Sequence, residues 1–409
     1  MMNPGMVGPF QAMIFIVSPS AHYPSHNWPN TLALTRALIR KGRQVRIVIF
    51  SSTTDAIPTD LQGQVTAVFS HPPSAWRQVA AGRWQNRRFG GLMSLCETWT
   101  CLFRALRLSR NQPDAVLHFI GGSYWMVVVA TLLFRRRFVY SLYGGILSGP
   151  ATGAKAMVRK FSKWVLRRAA GTNRLDFTCE NEFLRDEIAA HIGTHVRVIP
   201  YAIDDEERPA SQVEARRRLG LPLTEKILLF YGTHRREKDY LTPLKGCLTL
   251  PTPPLALFVG KLISDNDPSQ VVAACRYPNA KVVNEFVPEE MTKYYFAAAD
   301  ALVLPYEANF ARGSGVLIEC CHHFRPMIAS AAPYFSAFLA RYPCGVTYAP
   351  ADSASFAAAA QHLLADTTVF RDALERARHD HSWNAAAGQY LELYESGKRP
   401  AGLPARAVT

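Results

Sequence analysis

Short apolar runs of strand length recur along this chain and alternate with stretches of helical character. Residues 12–18 and 44–50 are two such runs, and between them Asn30 is predicted to cap a helix that ends at Lys41-Gly42. The order strand, helix, strand is that of a βαβ unit. Because neither run alternates with polar residues, both are predicted to be strands buried on two faces of a parallel sheet. Further strands of this sheet are predicted at 116–120, 137–142, 177–179 and 196–200.

A second series of the same kind follows a polar segment at 203–207. Its strands are predicted at 226–231, 255–260, 281–286, 301–304, 327–329 and 346–348. A chain of 409 residues is long enough for two domains. The sequence therefore predicts an α/β fold with two doubly wound, Rossmann-like domains, residues 1–205 and 206–382, and a C-terminal crossover helix and tail at 383–409. Such domains bind ligands at the carboxyl ends of their strands, here in a cleft between the two.

The net charge of the chain indicates which classes of partner it can bind but does not distinguish between them. Lys plus Arg outnumber Asp plus Glu by 46 to 32, a net charge of +14, which suits nucleoside diphosphates, anionic lipid or nucleic acid. Since there is no nucleic-acid motif and no patch of interleaved basic and aromatic residues, no nucleic-acid partner is expected. The eight cysteines lack the spacing of a zinc site, and the first 35 residues contain no Lys or Arg. Both features favour a cytoplasmic protein with reduced thiols.

One apolar stretch, residues 116–134, imitates a membrane span because it is followed by three arginines. Its first half, however, contains His118, Gly121, Gly122 and Ser123, which a span would have to bury in lipid. A buried strand, a Gly-Gly turn and a buried helix are the better interpretation.

A cluster of cations follows the first strand of the second series. That strand ends at Gly232, and Arg235 and Lys238 come three and six residues later. Arginine can bind two phosphate oxygens at once and lysine acts as a point charge, so the pair is predicted to hold a diphosphate at the end of the strand. The alternative is an exposed basic turn.

A glycine-rich turn, Gly313-Ser314-Gly315, is predicted to open a helix. The free N–H groups and the positive end of a helix attract anions, and glycine lets the backbone approach a ligand closely. One turn later Glu319 could accept hydrogen bonds from ribose hydroxyls. An ordinary loop with an N-capped helix remains the alternative.

His118 lies near the end of a predicted strand of the first domain. A histidine with an unperturbed pKa can donate or accept a proton at neutral pH, so His118 is predicted to face the cleft and assist a transfer reaction. A core histidine with satisfied hydrogen bonds is the alternative.

Residues 154–168 form a predicted basic amphipathic helix. Its apolar positions, at helical spacing, are Ala154, Met157, Val158, Phe161, Trp164 and Val165. Its cations, which lie elsewhere around the helix, are Lys155, Arg159, Lys160, Lys163 and Arg167. Such a helix can lie in an anionic membrane interface, or it can pack its apolar stripe on the core.

Taken together, these segments resemble the retaining GT-B glycosyltransferases of group 1, which include bacterial exopolysaccharide and lipopolysaccharide enzymes and phosphatidylinositol mannosyltransferases. The resemblance runs from about Lys226 to Tyr394. It rests on two motifs, Gly-x-x-Arg-x-x-Lys at 232–238 and Gly-Ser-Gly followed by Glu319. Three further segments, residues 295–306, residues 325–330 and Ser382-Trp383, also resemble those of the family. A looser match, Val-Ile-Pro-Tyr-Ala-Ile-Asp at 198–204, lies in the first half.

The resemblance implies transfer of a hexose from UDP- or GDP-sugar to a lipid-linked or polysaccharide acceptor, with retention and with no metal cofactor. Arg235 and Lys238 would hold the diphosphate, Gly313, Ser314 and Gly315 would cap it, Glu319 would bind the ribose and His118 would be catalytic. The protein would work as a peripheral protein on an anionic membrane, at the inner face of the cell membrane.

The sequence departs from the family at several positions. The first Glu of the common Glu-x7-Glu pattern would fall at Ala311, and Glu307 is the nearby substitute for contact with the sugar. Phe324 replaces a common glycine, and Ser25-His26-Asn27-Trp28 replaces a glycine pair. A non-catalytic binding subunit and a nucleotide-sugar isomerase of the same fold therefore remain alternatives.

Overall fold

The computed structural model of the chain describes residues 12–21, 27–51, 57–69, 87–142, 153–192, 196–203, 210–310 and 313–396. The chain forms two compact units. The first comprises Met1–Pro200 together with Ala386–Thr409, and the second comprises Tyr201–Ala385. The C-terminal segment, predicted as a separate element, thus belongs to the first unit from Ala386 onward. The predicted junction at 205 and 206 lies outside the described residues.

The first unit is built on a parallel sheet. Its described strands are β1 (Ile14–Ser18), β2 (Val45–Ser51), β3 (Val65–Phe69), β4 (Val116–Ile120), β5 (Arg137–Leu142), β6 (Leu175–Cys179) and β7 (Val196–Val198). The order across the sheet is β3-β2-β1-β4-β5-β6-β7. Its described α-helices are α1 (Asn27–Arg40), α2 (Arg87–Leu108), α3 (Tyr124–Leu133), α4 (Ala154–Ala170), α5 (Glu182–Ile192) and, from Ala386, most of α14 (Trp383–Ser396).

The centre of this sheet explains why its strands contain almost no polar alternation. Every residue of β4 is buried, and β4 lies parallel to both β1 and β5. Leu117 and Phe119 join the main hydrophobic core on one face. Because side chains alternate along a strand, His118 points to the opposite face, where Tyr390 and Tyr394 of α14 cover it.

The second unit repeats the architecture with a second parallel sheet. Its described strands are β8 (Ile227–Tyr231), β9 (Leu255–Val259), β10 (Ala280–Val283), β11 (Ala301–Leu304), β12 (Met327–Ser330) and β13 (Gly345–Tyr348). Their order is β10-β9-β8-β11-β12-β13. Its described α-helices are α6 (Gln212–Arg218), α7 (Leu241–Leu248), α8 (Pro268–Cys275), α9 (Glu289–Ala298), α10 (Gly315–His322), α11 (Pro333–Arg341), α12 (Ser353–Ala365) and α13 (Arg371–Asp380).

The strand order of the second sheet reverses between β8 and β11, which are adjacent and parallel. In a doubly wound sheet the crevice for ligands opens at such a reversal, beyond the carboxyl ends of the strands. Here those ends are Tyr231 and Leu304. The predicted cationic segment and the predicted glycine-rich turn each follow one of these two strands, and the topology therefore brings them to the same place.

The predicted α/β fold with two doubly wound sheets is confirmed, but some elements differ from expectation. Strand β3 and helix α2 were not predicted. Asn30 does not cap the first helix, because α1 already begins at Asn27. Strand β10 ends at Val283, since the side chain of Asn284 turns away to accept a hydrogen bond from the Leu262 N–H.

The segment that imitates a membrane span has the predicted strand, turn and helix. Strand β4 ends at Ile120, Gly121 and Gly122 both have positive φ, and α3 follows at Tyr124. Across the part of the chain that the structure describes, no helix is long and apolar enough to cross a membrane.

Candidate functional site

Gly232, directly after β8, is the point at which the two predicted segments meet. Its φ of +89° disfavours any other residue. A Cβ built there would lie 3.3 Å from Cγ2 of Val316 in the first turn of α10 and 3.6 Å from Nζ of Lys238. The absence of a side chain at Gly232 thus lets the lysine and the amino end of the helix border the same small space.

Lys238 is a buried cation with few compensating groups. Its residue is 6% exposed, and Nζ donates a hydrogen bond to the Tyr231 carbonyl oxygen, 2.8 Å away. Burial, helped by the nearby Arg235 and opposed by Glu237, lowers the pKa of this amine to about 7. The Tyr306 ring, whose centroid is 5.7 Å from Nζ, adds a weak attraction. An anion next to Nζ would supply the negative charge that this position lacks.

Arg235 is the exposed partner of Lys238 in the cationic loop. Its Nε donates a hydrogen bond to the Thr233 hydroxyl at 3.0 Å, which folds the guanidinium group back toward Gly232. Its ion pair with Glu237, at 3.9 Å on the surface, is weak. The backbone of the loop is held from below by Asn266, whose amide donates to the carbonyl oxygens of Arg235 and Lys238.

The predicted helix at the glycine-rich turn is confirmed as α10, which begins at Gly315. Gly313 precedes Ser314, and Ser314 takes the N-cap position without using its side chain as a cap. The Ser314 hydroxyl is buried and makes no hydrogen bond of ordinary geometry, although the Tyr306 phenol lies close enough for the two hydroxyls to influence each other. A helix N-terminus with a spare buried hydroxyl is suited to binding an anion.

Glu319 lies in the second turn of α10, and its side chain is 32% exposed. One carboxylate oxygen is 3.5 Å from Nε2 of the buried His323, one turn further along. The carboxylate is thus displaced along the helix from the amino end, where the anion would bind. This position agrees with a role in holding neutral hydroxyl groups.

Glu307 belongs to a segment that pairs with the cationic loop. The Asp239 N–H donates to the Pro305 carbonyl oxygen, and the Glu307 N–H donates to that of Glu237 at 3.0 Å. The Glu307 side chain is exposed. The pairing keeps this carboxylate near the loop that carries Arg235 and Lys238. Ala311 and Arg312, between Glu307 and the helix, lie outside the described residues.

The arrangement can bind a diphosphate. It combines a buried lysine, an arginine and a helix N-terminus at the reversal point of a parallel sheet, the position at which such sheets bind phosphorylated ligands. Among the residues that the structure describes, no three His, Cys, Asp or Glu side chains are grouped in a way that could hold a metal ion.

Comparison with known proteins gives consistent results. Residues 31–207 match the sequence profile of the family described as Glycosyltransferase Family 4. The D-inositol 3-phosphate glycosyltransferase of Nocardiopsis dassonvillei is 26% identical over 340 residues, which are 75% of this chain and 76% of that protein. TuaC of Bacillus subtilis, named as a glycosyltransferase of teichuronic acid biosynthesis, is 23% identical over 306 residues, 72% of this chain and 69% of that protein. The crystal structure of Anabaena HepE with UDP and glucose matches with a TM-score of 0.62 at 17% identity, over 94% of this chain and all of that one.

This chain is a glycosyltransferase of the GT-B fold. The comparisons favour neither the binding subunit nor the isomerase. The family profile covers mainly the first unit, whereas the alignment with the D-inositol 3-phosphate glycosyltransferase extends over both units.

In this glycosyltransferase, His118 is fully buried and both of its ring nitrogens have partners. The residue is 0% exposed, and its Nδ1 and Nε2 are hydrogen-bonded to Tyr394 at 2.7 Å and Ser141 at 2.8 Å. Burial lowers its pKa to about 3, so the ring is neutral at physiological pH. The structure thus places His118 as the alternative interpretation describes, a core histidine with satisfied hydrogen bonds, because α14 covers that face of β4. Its role in transfer stays a prediction. The ring joins the C-terminal helix of the glycosyltransferase to its first sheet.

Helix α4 of the glycosyltransferase places its apolar residues on two faces. Val165 is buried, whereas Met157, Phe161 and Trp164 are 72%, 63% and 61% exposed. The rings of Phe161 and Trp164 stack at a centroid distance of 6.0 Å. The predicted single stripe is therefore split, and most of its described members face outward. The side chains of residues 154, 155, 158 and 159 lie outside the description.

Sequence reasoning about the glycosyltransferase missed two residues beside the predicted diphosphate loop at 235–238. Asn266 follows no motif, and only the fold brings it beneath the loop at 235–238. His234 is fully buried, with Nδ1 2.7 Å from the Tyr240 hydroxyl, and burial lowers its pKa to about 4. Its place in a basic segment, directly before the exposed Arg235, gave no sign of burial.

Proposed function

We propose that this glycosyltransferase moves a hexose from UDP- or GDP-sugar to a lipid-linked or polysaccharide acceptor, with retention of the anomeric configuration. The observation that carries the proposal is the meeting of Lys238 Nζ and the first turn of α10 at Gly232. The names of the relatives agree with it: HepE was crystallised with UDP and glucose, and TuaC is named as a glycosyltransferase of teichuronic acid biosynthesis.

The second unit is proposed to hold the donor. Lys238 and Arg235 bind the diphosphate, the amino end of α10 from Gly313 to Gly315 caps it, and Glu319 accepts hydrogen bonds from the ribose. During transfer the bond between the anomeric carbon and the phosphate oxygen breaks, a bond from that carbon to the acceptor oxygen forms, and the proton of the acceptor hydroxyl passes to the departing phosphate oxygen. The electron pair leaves with the diphosphate, where a preorganised cation and a helix dipole stabilise the developing charge.

We propose further that this positive charge replaces a metal ion. A lysine whose pKa is already lowered gains most from a dianionic neighbour, because the anion restores the conditions in which the amine is charged. Turnover is then expected to persist in EDTA, and turnover that requires added Mg²⁺ or Mn²⁺ would contradict this part of the proposal.

Glu307 is proposed to contact the donor sugar. The backbone pairing of 305–307 with 237–239 keeps it near the diphosphate loop. A carboxylate there could accept hydrogen bonds from sugar hydroxyls and stabilise positive charge at the anomeric carbon.

The acceptor is proposed to be met at an anionic membrane, on the inner face of the cell membrane. Met157, Phe161 and Trp164 project from α4, and the exposed Lys160, Arg167 and Arg168 lie on the same helix. Exposed aromatic rings beside cations fit the boundary between headgroups and acyl chains. Each cation near such a surface contributes about 1 kcal/mol, less at high salt.

A panel of UDP-, GDP- and ADP-sugars tests the reaction. The wild type is expected to release nucleoside diphosphate from one or more of them, and Lys238→Ala is expected to lose most of this activity. Nucleotide affinity without any hydrolysis or transfer, even with lipid-linked and polysaccharide acceptors, would favour the binding subunit instead.

Sedimentation with vesicles tests the membrane surface separately. Phe161→Gln combined with Trp164→Gln is expected to reduce binding to vesicles that contain phosphatidylglycerol. Val369→Gln is the matched control, because Val369 is 67% exposed on an unrelated surface. Unchanged sedimentation of the double variant would contradict a lipid-facing α4.

A further inference from the structure

Tyr201, the first residue of the second unit, lies against the amino end of α10. A Cβ built on Gly315 would have three atoms of the Tyr201 ring as its nearest neighbours, Cε1 and Cζ at 3.8 Å and Oη at 3.9 Å. Gly315 is the first residue of the helix. The phenol hydroxyl is therefore beside the first residue of the helix, at the end whose free N–H groups can bind an anion.

The backbone of Tyr201 is fixed in place by the last segment of the same unit. Its carbonyl oxygen accepts a hydrogen bond from Nδ1 of the buried His381 at 3.0 Å. Two residues further on, the Ile203 N–H donates to the His381 carbonyl oxygen, and the Trp383 N–H donates to that of Ile203. This short parallel pairing, which we call the 203–382 bridge, fixes the backbone from which the Tyr201 ring extends toward Gly315.

The surroundings of the Tyr201 hydroxyl favour an anionic ligand. The amino end of a helix carries positive partial charge, and the buried Ser314 hydroxyl precedes Gly315 directly. Lys238 Nζ and Val316 meet at Gly232 on the other border of the same turn. A phenol can donate one hydrogen bond, and the group that such a neighbourhood attracts is an acceptor with negative charge.

We propose that the Tyr201 hydroxyl donates a hydrogen bond to the diphosphate of the sugar donor, as a binding residue additional to Arg235, Lys238 and the turn at 313–315. The proposal rests on the proposed function, because it assigns one more contact at the same site. By this assignment Tyr201, the residue at which the chain enters the second unit, belongs to the donor site.

The test is Tyr201→Phe, which removes one oxygen and keeps the ring. Affinities for UDP, for inorganic pyrophosphate and for uridine are measured by calorimetry. Since hydrogen bonds to charged groups are comparatively strong, UDP and pyrophosphate are expected to bind about tenfold more weakly, whereas uridine affinity stays unchanged. Tyr277→Phe is the matched control. Its hydroxyl donates to the Pro254 carbonyl oxygen at the amino end of β9, away from the strand ends that form the site.

The control is expected to lower the melting temperature without changing UDP affinity. Wild-type affinity of Tyr201→Phe for UDP and pyrophosphate would overturn the proposal, as would an equal loss for uridine, which would indicate an effect through the fold or the base. Lys238→Ala distinguishes a failure of the Tyr201 assignment from a failure of the proposed function. If it weakens UDP binding while Tyr201→Phe does not, only the assignment of Tyr201 fails. If the wild type binds neither UDP nor GDP, the proposed function fails and the assignment with it.

Discussion

Each of the two units of this glycosyltransferase buries a cluster of polar side chains at its parallel sheet, and the clusters differ in how completely they are satisfied. Around His118, both ring nitrogens have partners, and the Ser141 hydroxyl also lies within hydrogen-bond distance of Thr178 and Tyr390. Around Lys238, the ammonium group has a carbonyl partner, and the Ser314 hydroxyl makes no ordinary hydrogen bond. Burial of a titratable group therefore does not identify a site by itself, and the two clusters differ in whether their buried polar groups all have partners.

The pKa values express the same difference. Burial lowers the pKa of His118 to about 3 and that of Lys238 to about 7. At neutral pH the histidine is neutral, so it needs no counter-charge. The lysine is divided between its two protonation states, and an arriving anion would shift it toward the charged one.

The largest effect is expected from His118→Ala, which removes the residue at the centre of the hydrogen-bonded cluster of the first unit. Removal of the ring leaves a cavity and takes one hydrogen-bond partner from each of the hydroxyls of Ser141 and Tyr394. The free energy of unfolding in urea is expected to fall by about 3 kcal/mol, with UDP affinity unchanged. A variant of normal stability that has lost turnover would show that His118 acts in the reaction after all.

Lys238→Ala and Glu319→Ala test the predicted donor site of the second unit, and the two variants are expected to lose affinity for different sets of ligands. Loss of the lysine is expected to weaken binding of UDP by about tenfold to a hundredfold and to leave uridine unaffected. Loss of the carboxylate is expected to weaken both ligands alike, since both carry the ribose. The ligand-free Lys238→Ala protein should be at least as stable as the wild type, because a buried amine with a lowered pKa costs stability at neutral pH. Calorimetry gives the affinities, and wild-type UDP binding in both variants would remove the basis for a donor site here.

A smaller effect is expected from pH. Below pH 7 the free site already carries the Lys238 proton, whereas above it the amine must take up a proton as the anion binds. UDP affinity should therefore fall as pH rises, by about fivefold between pH 7 and pH 8. Lys238→Arg is the control, because arginine stays charged and ionisation of UDP itself affects both proteins equally. The same pH profile in both proteins would exclude titration of Lys238.

The smallest effect concerns Phe324, which follows α10 with a φ of +54°, a conformation that glycine tolerates best. The guanidinium groups of Arg371 and Arg378 lie over its ring, at 3.9 Å and 5.1 Å from the centroid, and compensate part of the strain. Phe324→Gly is expected to change the free energy of unfolding by less than about 1 kcal/mol, because relief of strain offsets the lost contacts. Phe324→Ala keeps the strain and loses the contacts, so it should be the less stable of the two in thermal unfolding. A more stable alanine variant would show that the backbone here is not strained.

The sequence predicted the sheets well because their strands are nearly continuous apolar runs. The bounds of β4, β5 and β11 agree with the prediction residue for residue. Strand β3 was missed because it is only half-buried and carries no such run. The meeting of the cationic segment with α10 followed from strand order alone, since both segments leave neighbouring strands at their carboxyl ends.

Other features of the site depend on contacts that local patterns cannot reveal. The partner that closes the cluster at His118 is Tyr394, 276 residues away in the sequence. Asn266 and Tyr201 are positioned by the fold and carry no motif. The family pattern placed a glycine at 324, and only the structure shows how a phenylalanine with two stacked arginines can replace it.

The 203–382 bridge has a consequence for how such enzymes can change. It joins the first and last segments of the second unit, so the chain enters and leaves that unit through neighbouring backbone positions. A unit whose two ends are adjacent can be exchanged as a cassette without disturbing the strands of its host, as in tolerated domain insertions. In this architecture a new nucleotide specificity could be acquired by replacing residues 201–385 as one block, while α4 and the rest of the host stay as they are.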